Sequence, residues 1–147
     1  MPIRCEIVSQ DRLVWEGNAD IVNLPGADGD MGILPNHAPV LATLRFGIVN
    51  VRTGGVDQYF TVAGGVVEVQ PHLVTVLADA AENVESIDIA RAEAARERAE
   101  KFMAEPLSQD PDDFLKMEVS LRRSNLRLDA VRRFRRTRNV PPRSNDS

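Results

Sequence analysis

Tyr59-Phe60-Thr61-Val62-Ala63-Gly64-Gly65-Val66-Val67-Glu68-Val69-Gln70-Pro71-His72-Leu73-Val74-Thr75-Val76-Leu77 holds three short runs rich in β-branched and aromatic residues, 59–62, 66–69 and 73–77. Gly64-Gly65 and Gln70-Pro71-His72 separate them, so the stretch reads as strands joined by turns. The same reading extends upstream. Ile3, Cys5 and Ile7 alternate with Arg4, Glu6 and Val8, and residues 13–15, 19–24, 40–44 and 48–51 give further runs of strand character. Ser9-Gln10-Asp11, Pro25-Gly26 and Thr53-Gly54-Gly55 supply the turns. Many short strands at close spacing predict an all-β sandwich over residues 1–84.

Beyond Asp79 the period changes from two to that of a helix. A first helix is expected to start at Glu85 or Ser86, with Asp88 in its first turn, where a carboxylate suits the helix dipole. Its apolar stripe is Ile89, Ala92, Ala95 or Arg96, Ala99, Phe102 and Met103, mostly alanine. Pro106 and Pro111 break it, and Asp112 or Asp113 is the expected cap of a second helix. Phe114, Met117, Leu121, Ser124, Leu128 and Val131 then form a seam at spacings of 3 and 4, with Ser124 its polar interruption. The prediction is an antiparallel two-helix hairpin over 85–136, followed by a disordered tail, 137–147.

The 147 residues carry a formal net charge of −4, unevenly distributed. Residues 1–114 hold 8 Lys and Arg against 19 Asp and Glu (net −11), and residues 115–147 hold 10 against 3 (net +7). A basic C-terminal part on an acidic body points to an acidic partner. Nucleic acid is disfavoured as that partner, because the β-part is acidic and aromatics make up only 5% of the chain. No signal peptide and no membrane-length apolar run is visible, and the lone Cys5 leaves no internal disulfide, so a reducing, cytoplasmic setting is expected.

The motifs of catalysis are missing. A phosphate-binding Walker loop requires Gly-Lys-Ser/Thr, and the only lysines are Lys101 and Lys116, both in the helical part. Gly26, Gly29 and Gly32 read as an irregular glycine-rich loop, but Ile33-Leu34-Pro35 follows where a dinucleotide fingerprint needs a helix. Asp28 and Asp30 start like a calcium loop, yet Pro39 stands where the bidentate Glu belongs. His37 and His72 have no ligand partner at useful spacing, so neither a metal site nor a catalytic residue is predicted.

Three segments resemble one family. Gly29-Asp30-Met31-Gly32-Ile33-Leu34-Pro35-Asn36-His37-Ala38-Pro39, Phe60-Thr61-Val62-Ala63-Gly64-Gly65-Val66-Val67-Glu68-Val69 and Ile87-Asp88-Ile89-Ala90-Arg91-Ala92 are similar, in order and spacing, to motifs of the epsilon subunit of bacterial F-type ATP synthases, called delta in mitochondria. The resemblance spans about residues 2–135. It implies a non-catalytic central-stalk subunit at the cytoplasmic face of the bacterial plasma membrane, peripheral and membrane-associated only through its complex. The sandwich would grip the gamma subunit and rest on the c-subunit ring, with the His37 loop a candidate ring contact. The hairpin would fold on the sandwich or extend toward the alpha/beta catalytic hexamer and inhibit ATP hydrolysis. Arg122, Arg123, Arg127, Arg132, Arg133, Arg135 and Arg136 would suit an acidic stretch of beta. No cofactor is required, but regulatory ATP is implied in the folded state. By position in the motif its contacts would be Ile87, Asp88, Arg91 and Ala92, joined by Glu82, Arg98, Arg123 and Arg127. Asp88 could accept from the adenine amino group or simply cap the helix.

Overall fold

Alternating burial organises the first strand: Ile3, Cys5 and Ile7 face the core while Arg4 is exposed. The structure is a computed structural model, and it describes residues 1–10, 12–105 and 110–135. Strands β1 (Ile3–Ser9), β2 (Arg12–Ala19), β3 (Ile21–Gly26), β4 (Gly29–Ile33), β5 (Val40–Thr53), β6 (Val56–Val69) and β7 (Leu73–Ala78) form one sheet in the order β2-β1-β7-β6-β5-β3-β4, and β8 (Ala81–Asn83) pairs with β6. All pairs are antiparallel except β1 with β7. The sheet folds over itself into a sandwich. Ile3, Cys5 and Ile7 from one end share a single core with Val22, Leu24 and Ile33 from the other, closed by Phe60, Val49 and Val76. Trp15 on β2 meets Phe60 on β6 at 5.7 Å between ring centroids.

Three expectations change. The runs 40–44 and 48–51 are halves of one 14-residue strand, β5, and 59–62 and 66–69 are halves of another, β6. Gly64-Gly65 is therefore not a turn. Both residues have positive φ (85° and 128°) inside β6, where its neighbour on one side changes from β8 to β7 while β5 stays paired on the other. Pro25-Gly26 lies within β3, and the glycine-rich stretch is not an irregular loop. It forms the β3–β4 hairpin, in which Gly29 alone of Gly26, Gly29 and Gly32 has positive φ. The Thr53-Gly54-Gly55 turn is as expected, with both glycines at positive φ in a two-residue hairpin loop.

A 3-10 turn, Val84–Ser86, leads into α1 (Ile89–Met103) and then α2 (Pro111–Phe134). The helix starts differ from expectation. Asp88 is the cap of α1, its carboxylate accepting from Arg91 N at 3.0 Å. Asp110 caps α2, accepting from Asp112 N at 2.9 Å, and Pro111 takes the first helical position, where its missing N–H leaves no helical bond unmade. The helices pack together, and Arg135 at the end of α2 bonds Ile87 just before α1, so the hairpin is antiparallel. Ala92 and Ala99 are buried on α1, and Ser124 and Ala130 on α2. Ser124, the polar interruption, is 1% exposed and donates to Ser120 O at 2.8 Å, which lets a hydroxyl sit in an alanine seam. Arg136 and the tail 137–147, with Pro106 of the interhelical segment, lie outside the described residues.

Candidate functional site

Small residues make room between the hairpin and the sandwich. Ala63, Ala80, Ala81 and Ala95 line a cleft of about 560 Å³, with Thr61 and Glu82 on the sandwich wall and Leu115, Lys116, Val119, Ser120, Arg123 and Arg127 on α2. The volume is that of a small-molecule site. Lys116, Ser120, Arg123 and Arg127 fall at i, i+4, i+7 and i+11, so α2 turns one polar, three-cation stripe into the cleft. Glu82 faces it and accepts from Arg127 Nε at 2.7 Å, both side chains part-exposed. An apolar floor beside fixed cations suits a ligand with a flat apolar body and several negative charges, the chemistry of a nucleoside polyphosphate.

The eight residues singled out by resemblance divide into groups. Glu82, Arg123 and Arg127 line the cleft. Arg91 and Arg98 do not; they lie at i−4 and i+3 from Ala95, which does, and both are exposed. Asp88 holds the helix cap. Ile87 and Ala92 are buried as packing. Sequence reasoning missed Lys116 as a cleft residue, although its seven-residue spacing from Arg123 places it on the same face.

The cap makes a direct prediction. Asp88→Ala is expected to weaken the start of α1 by about 1 kcal/mol. Faster amide exchange confined to residues 89–92 checks it, and unchanged exchange there would show that the cap contributes nothing.

The basic face of α2 is engaged within the chain, partly with the sandwich and partly with its own helix. Arg122 lies over the Phe46 ring at 4.1 Å, Arg132 and Arg133 pair with Asp129 at 2.6 and 3.3 Å, and Arg135 bonds backbone carbonyls of the interdomain turn. Arg123 borders two recesses, the cleft and a shallow one with Val8, Gln10, Leu77 and Asp79. Chemistry at Cys5 is closed off, since burial first and Glu6 second push its thiol up to about 12, leaving it protonated at neutral pH.

The His37 loop sits at the far end of the sandwich. Ile33 is buried in the core, whereas Leu34 projects, 56% exposed. Asn36, at φ 63°, donates its N–H to Pro71 O at 2.9 Å, which fixes the loop beside the 70–72 turn.

A β-sandwich carrying a hairpin docked over a ligand-sized cleft defines a class of two-part binding subunit. Residues 2–84 match the family described as ATP synthase, Delta/Epsilon chain, beta-sandwich domain, and residues 85–132 match ATP synthase, Delta/Epsilon chain, long alpha-helix domain. The chain is 42% identical over 131 residues to the ATP synthase epsilon chain of Halalkalibacterium halodurans, covering 89% of this chain and 98% of that one. It is 41% identical over 138 residues to that of Herpetosiphon aurantiacus, covering 94% and 99%. A chain in the cryo-EM structure of the Euglena gracilis mitochondrial ATP synthase shares the fold, with a TM-score of 0.70 at 24% identity over 88% of this chain and 80% of that one. This chain belongs to the ATP synthase delta/epsilon family and is a non-catalytic subunit.

Proposed function

We propose that this chain is the central-stalk epsilon subunit of a proton-translocating F-type ATP synthase. Its sandwich, 1–84, docks on the gamma subunit and rests on the c-subunit ring. Its hairpin, 85–136, inhibits ATP hydrolysis when it extends toward the alpha/beta hexamer, and ATP in the cleft holds it folded. The protein is then peripheral at the cytoplasmic face of the bacterial plasma membrane, bound only through the complex; among the described residues no helix is long and apolar enough to cross a membrane.

One observation carries the docking reading. Leu13 on β2, Val8 on β1, Leu77 on β7 and Val66 on β6 stand in register across the outer face of the sheet, next to Thr43 on β5. Leu13, Leu77 and Val66 are 49%, 45% and 38% exposed. The adjoining row on the same face is Glu16, Glu6, Thr75, Glu68 and Leu41. A contiguous apolar row on a rigid sheet marks a protein interface, and its acidic border suits a partner whose apolar ridge is edged with basic residues. Leu34 and His37, at another end of the sandwich, are the candidate ring contacts.

The hairpin reading rests on weak packing. Along the cleft Ala63, Ala80 and Ala81 of the sandwich stand across from Ser120 and Ser124 of α2, and small side chains bury little apolar area at roughly 25 cal/mol per Å². A ligand bridging α2 to the sandwich can therefore shift the balance. Isothermal titration of the full chain with ATP is expected to show saturable binding. Arg91→Ala, Arg123→Ala is expected to weaken it by about a hundredfold or more, since it removes two charge-assisted contacts, each worth about 1.5–3 kcal/mol. No binding at millimolar ATP would remove the nucleotide from this account and leave the hairpin answering to protein partners alone.

A further inference from the structure

The end of α2 is fastened to the turn between the domains. Arg135 donates from Nε and Nη2 to Val84 O, at 3.2 and 2.6 Å, and from Nη2 to Ile87 O at 2.6 Å. These carbonyls belong to the 3-10 turn and its following residue; Val84 O also accepts from Ile87 N at 3.4 Å within the turn, and Ile87 O lies just past its end. Beneath the guanidinium, Val84, Ile87 and Ala130 are buried together, with Ile48 and Val131 against them. The Phe134 ring stacks on Tyr59 with centroids 4.4 Å apart and planes 20° apart.

We propose that Arg135 is a latch that holds the hairpin root closed without nucleotide, and a positioning residue for the start of α1. The geometry separates this fastening from the cleft. Lys116, Arg123 and Arg127 lie up to five turns back along α2, so a ligand there braces the helix along its length while Arg135 holds its end. Through Ile87 O the guanidinium also fixes the residue immediately before Asp88, whose carboxylate caps α1. The hairpin cannot leave the sandwich without breaking these bonds and unstacking Phe134. The guanidinium holds Val84 O from two nitrogens, Nε and Nη2, while Nη2 also reaches Ile87 O; a lysine ammonium has one nitrogen and no fixed fork to place it. The latch does not depend on whether the cleft binds ATP.

Hydrogen exchange of the full chain, with no nucleotide present, tests this in wild type, Arg135→Ala and Arg135→Lys. In Arg135→Ala, amides in 84–91 and 128–134 are expected to exchange about tenfold faster, the lower range for losing hydrogen bonds to a charged group. Exchange in the core of β5 and β6 is expected to stay unchanged. Arg135→Lys is expected to recover only a minor part of the protection. Wild-type exchange in Arg135→Ala would overturn the latch. Full rescue by lysine would overturn the part given to the guanidinium's second nitrogen, and equal acceleration of the sandwich core would assign the residue to global stability instead.

Discussion

Gly65→Ala is expected to destabilise the sandwich by about 3 kcal/mol or more. Gly65 has φ 128°, a conformation that L side chains rarely adopt. A Cβ there would lie 2.2 Å from Leu77 O and 2.7 Å from Ala78 Cα. Both are backbone atoms of β7, which is clamped between β1 and β6 and has no room to retreat. Gly65 also pairs with Leu44 on one side and Ala78 on the other, so any shift breaks two ladders. Gly54→Ala is the control. Gly54 also has positive φ (58°), but nothing lies within 4 Å of its added Cβ, so only backbone strain of about 1 kcal/mol is expected. Urea midpoints of the two variants measure the difference. Equal losses would show that the β6–β7 contact relaxes and that conformation alone decides the effect.

The same glycine pair explains what the sequence concealed. Alternation in β1 and the runs on β6 and β7 made the sandwich legible, because period two survives wherever one face is buried. Glycines read as turns, since positive φ usually reverses a chain; here it lets one long strand keep β5 on one side while it exchanges β8 for β7 on the other. Gly29-Asp30-Met31-Gly32-Ile33 lacks β-branched residues until its last, and backbone pairing with β3 overrode that propensity. The helical hairpin was legible from its period, but its starts were displaced. α1 starts later than Glu85 or Ser86, because a 3-10 turn takes Val84–Ser86 and Asp88 caps the helix after it, whereas α2 starts earlier than Asp112 or Asp113, because its cap Asp110 lies outside the pattern it begins.

The candidate site was legible in part for a similar reason. Lys116, Arg123 and Arg127 follow helical spacing, but Glu82 meets Arg127 across 45 residues of chain, and the grip of Arg135 on Val84 spans 51. No local pattern carries such contacts. The charge run on α2 read as a free basic face, yet folding consumes most of it: Arg122 rests on Phe46, Arg127 on Glu82, and Arg132 and Arg133 on Asp129. Leaving the sandwich frees Arg122 and Arg127, whose partners Phe46 and Glu82 belong to it, whereas Arg132 and Arg133 stay paired with Asp129 on their own helix. That gives the extended hairpin a partner-seeking charge which the folded one lacks, and it links the two proposed states through the same arginines.

Leu77→Glu is expected to weaken binding to a gamma subunit by about thirtyfold or more, the equivalent of a central interface anchor worth at least about 2 kcal/mol. Leu77 is the middle of the apolar row, between Val8 and Val66, so a partner lying along the row covers it completely. A carboxylate placed there would be desolvated at the apolar centre of the seam, with Glu6 and Glu68 of the adjoining row beside it. The fold should not suffer: the side chain points away from the core, half exposed, and an unchanged unfolding midpoint checks this. Leu77→Lys removes the same apolar surface with the opposite sign. A partner ridge edged with basic residues repels lysine across the seam and attracts glutamate, so lysine should weaken binding more than glutamate. Equal losses would leave the apolar contact and remove the charge argument. Leu34→Glu, at the other end of the sandwich, should spare gamma binding. Full gamma affinity in Leu77→Glu would mean that the sandwich is gripped elsewhere. It would also break the link suggested by Arg123, which borders the recess containing Val8 and Leu77 as well as the cleft, so that a ligand drawing Arg123 inward alters the edge of the docking face.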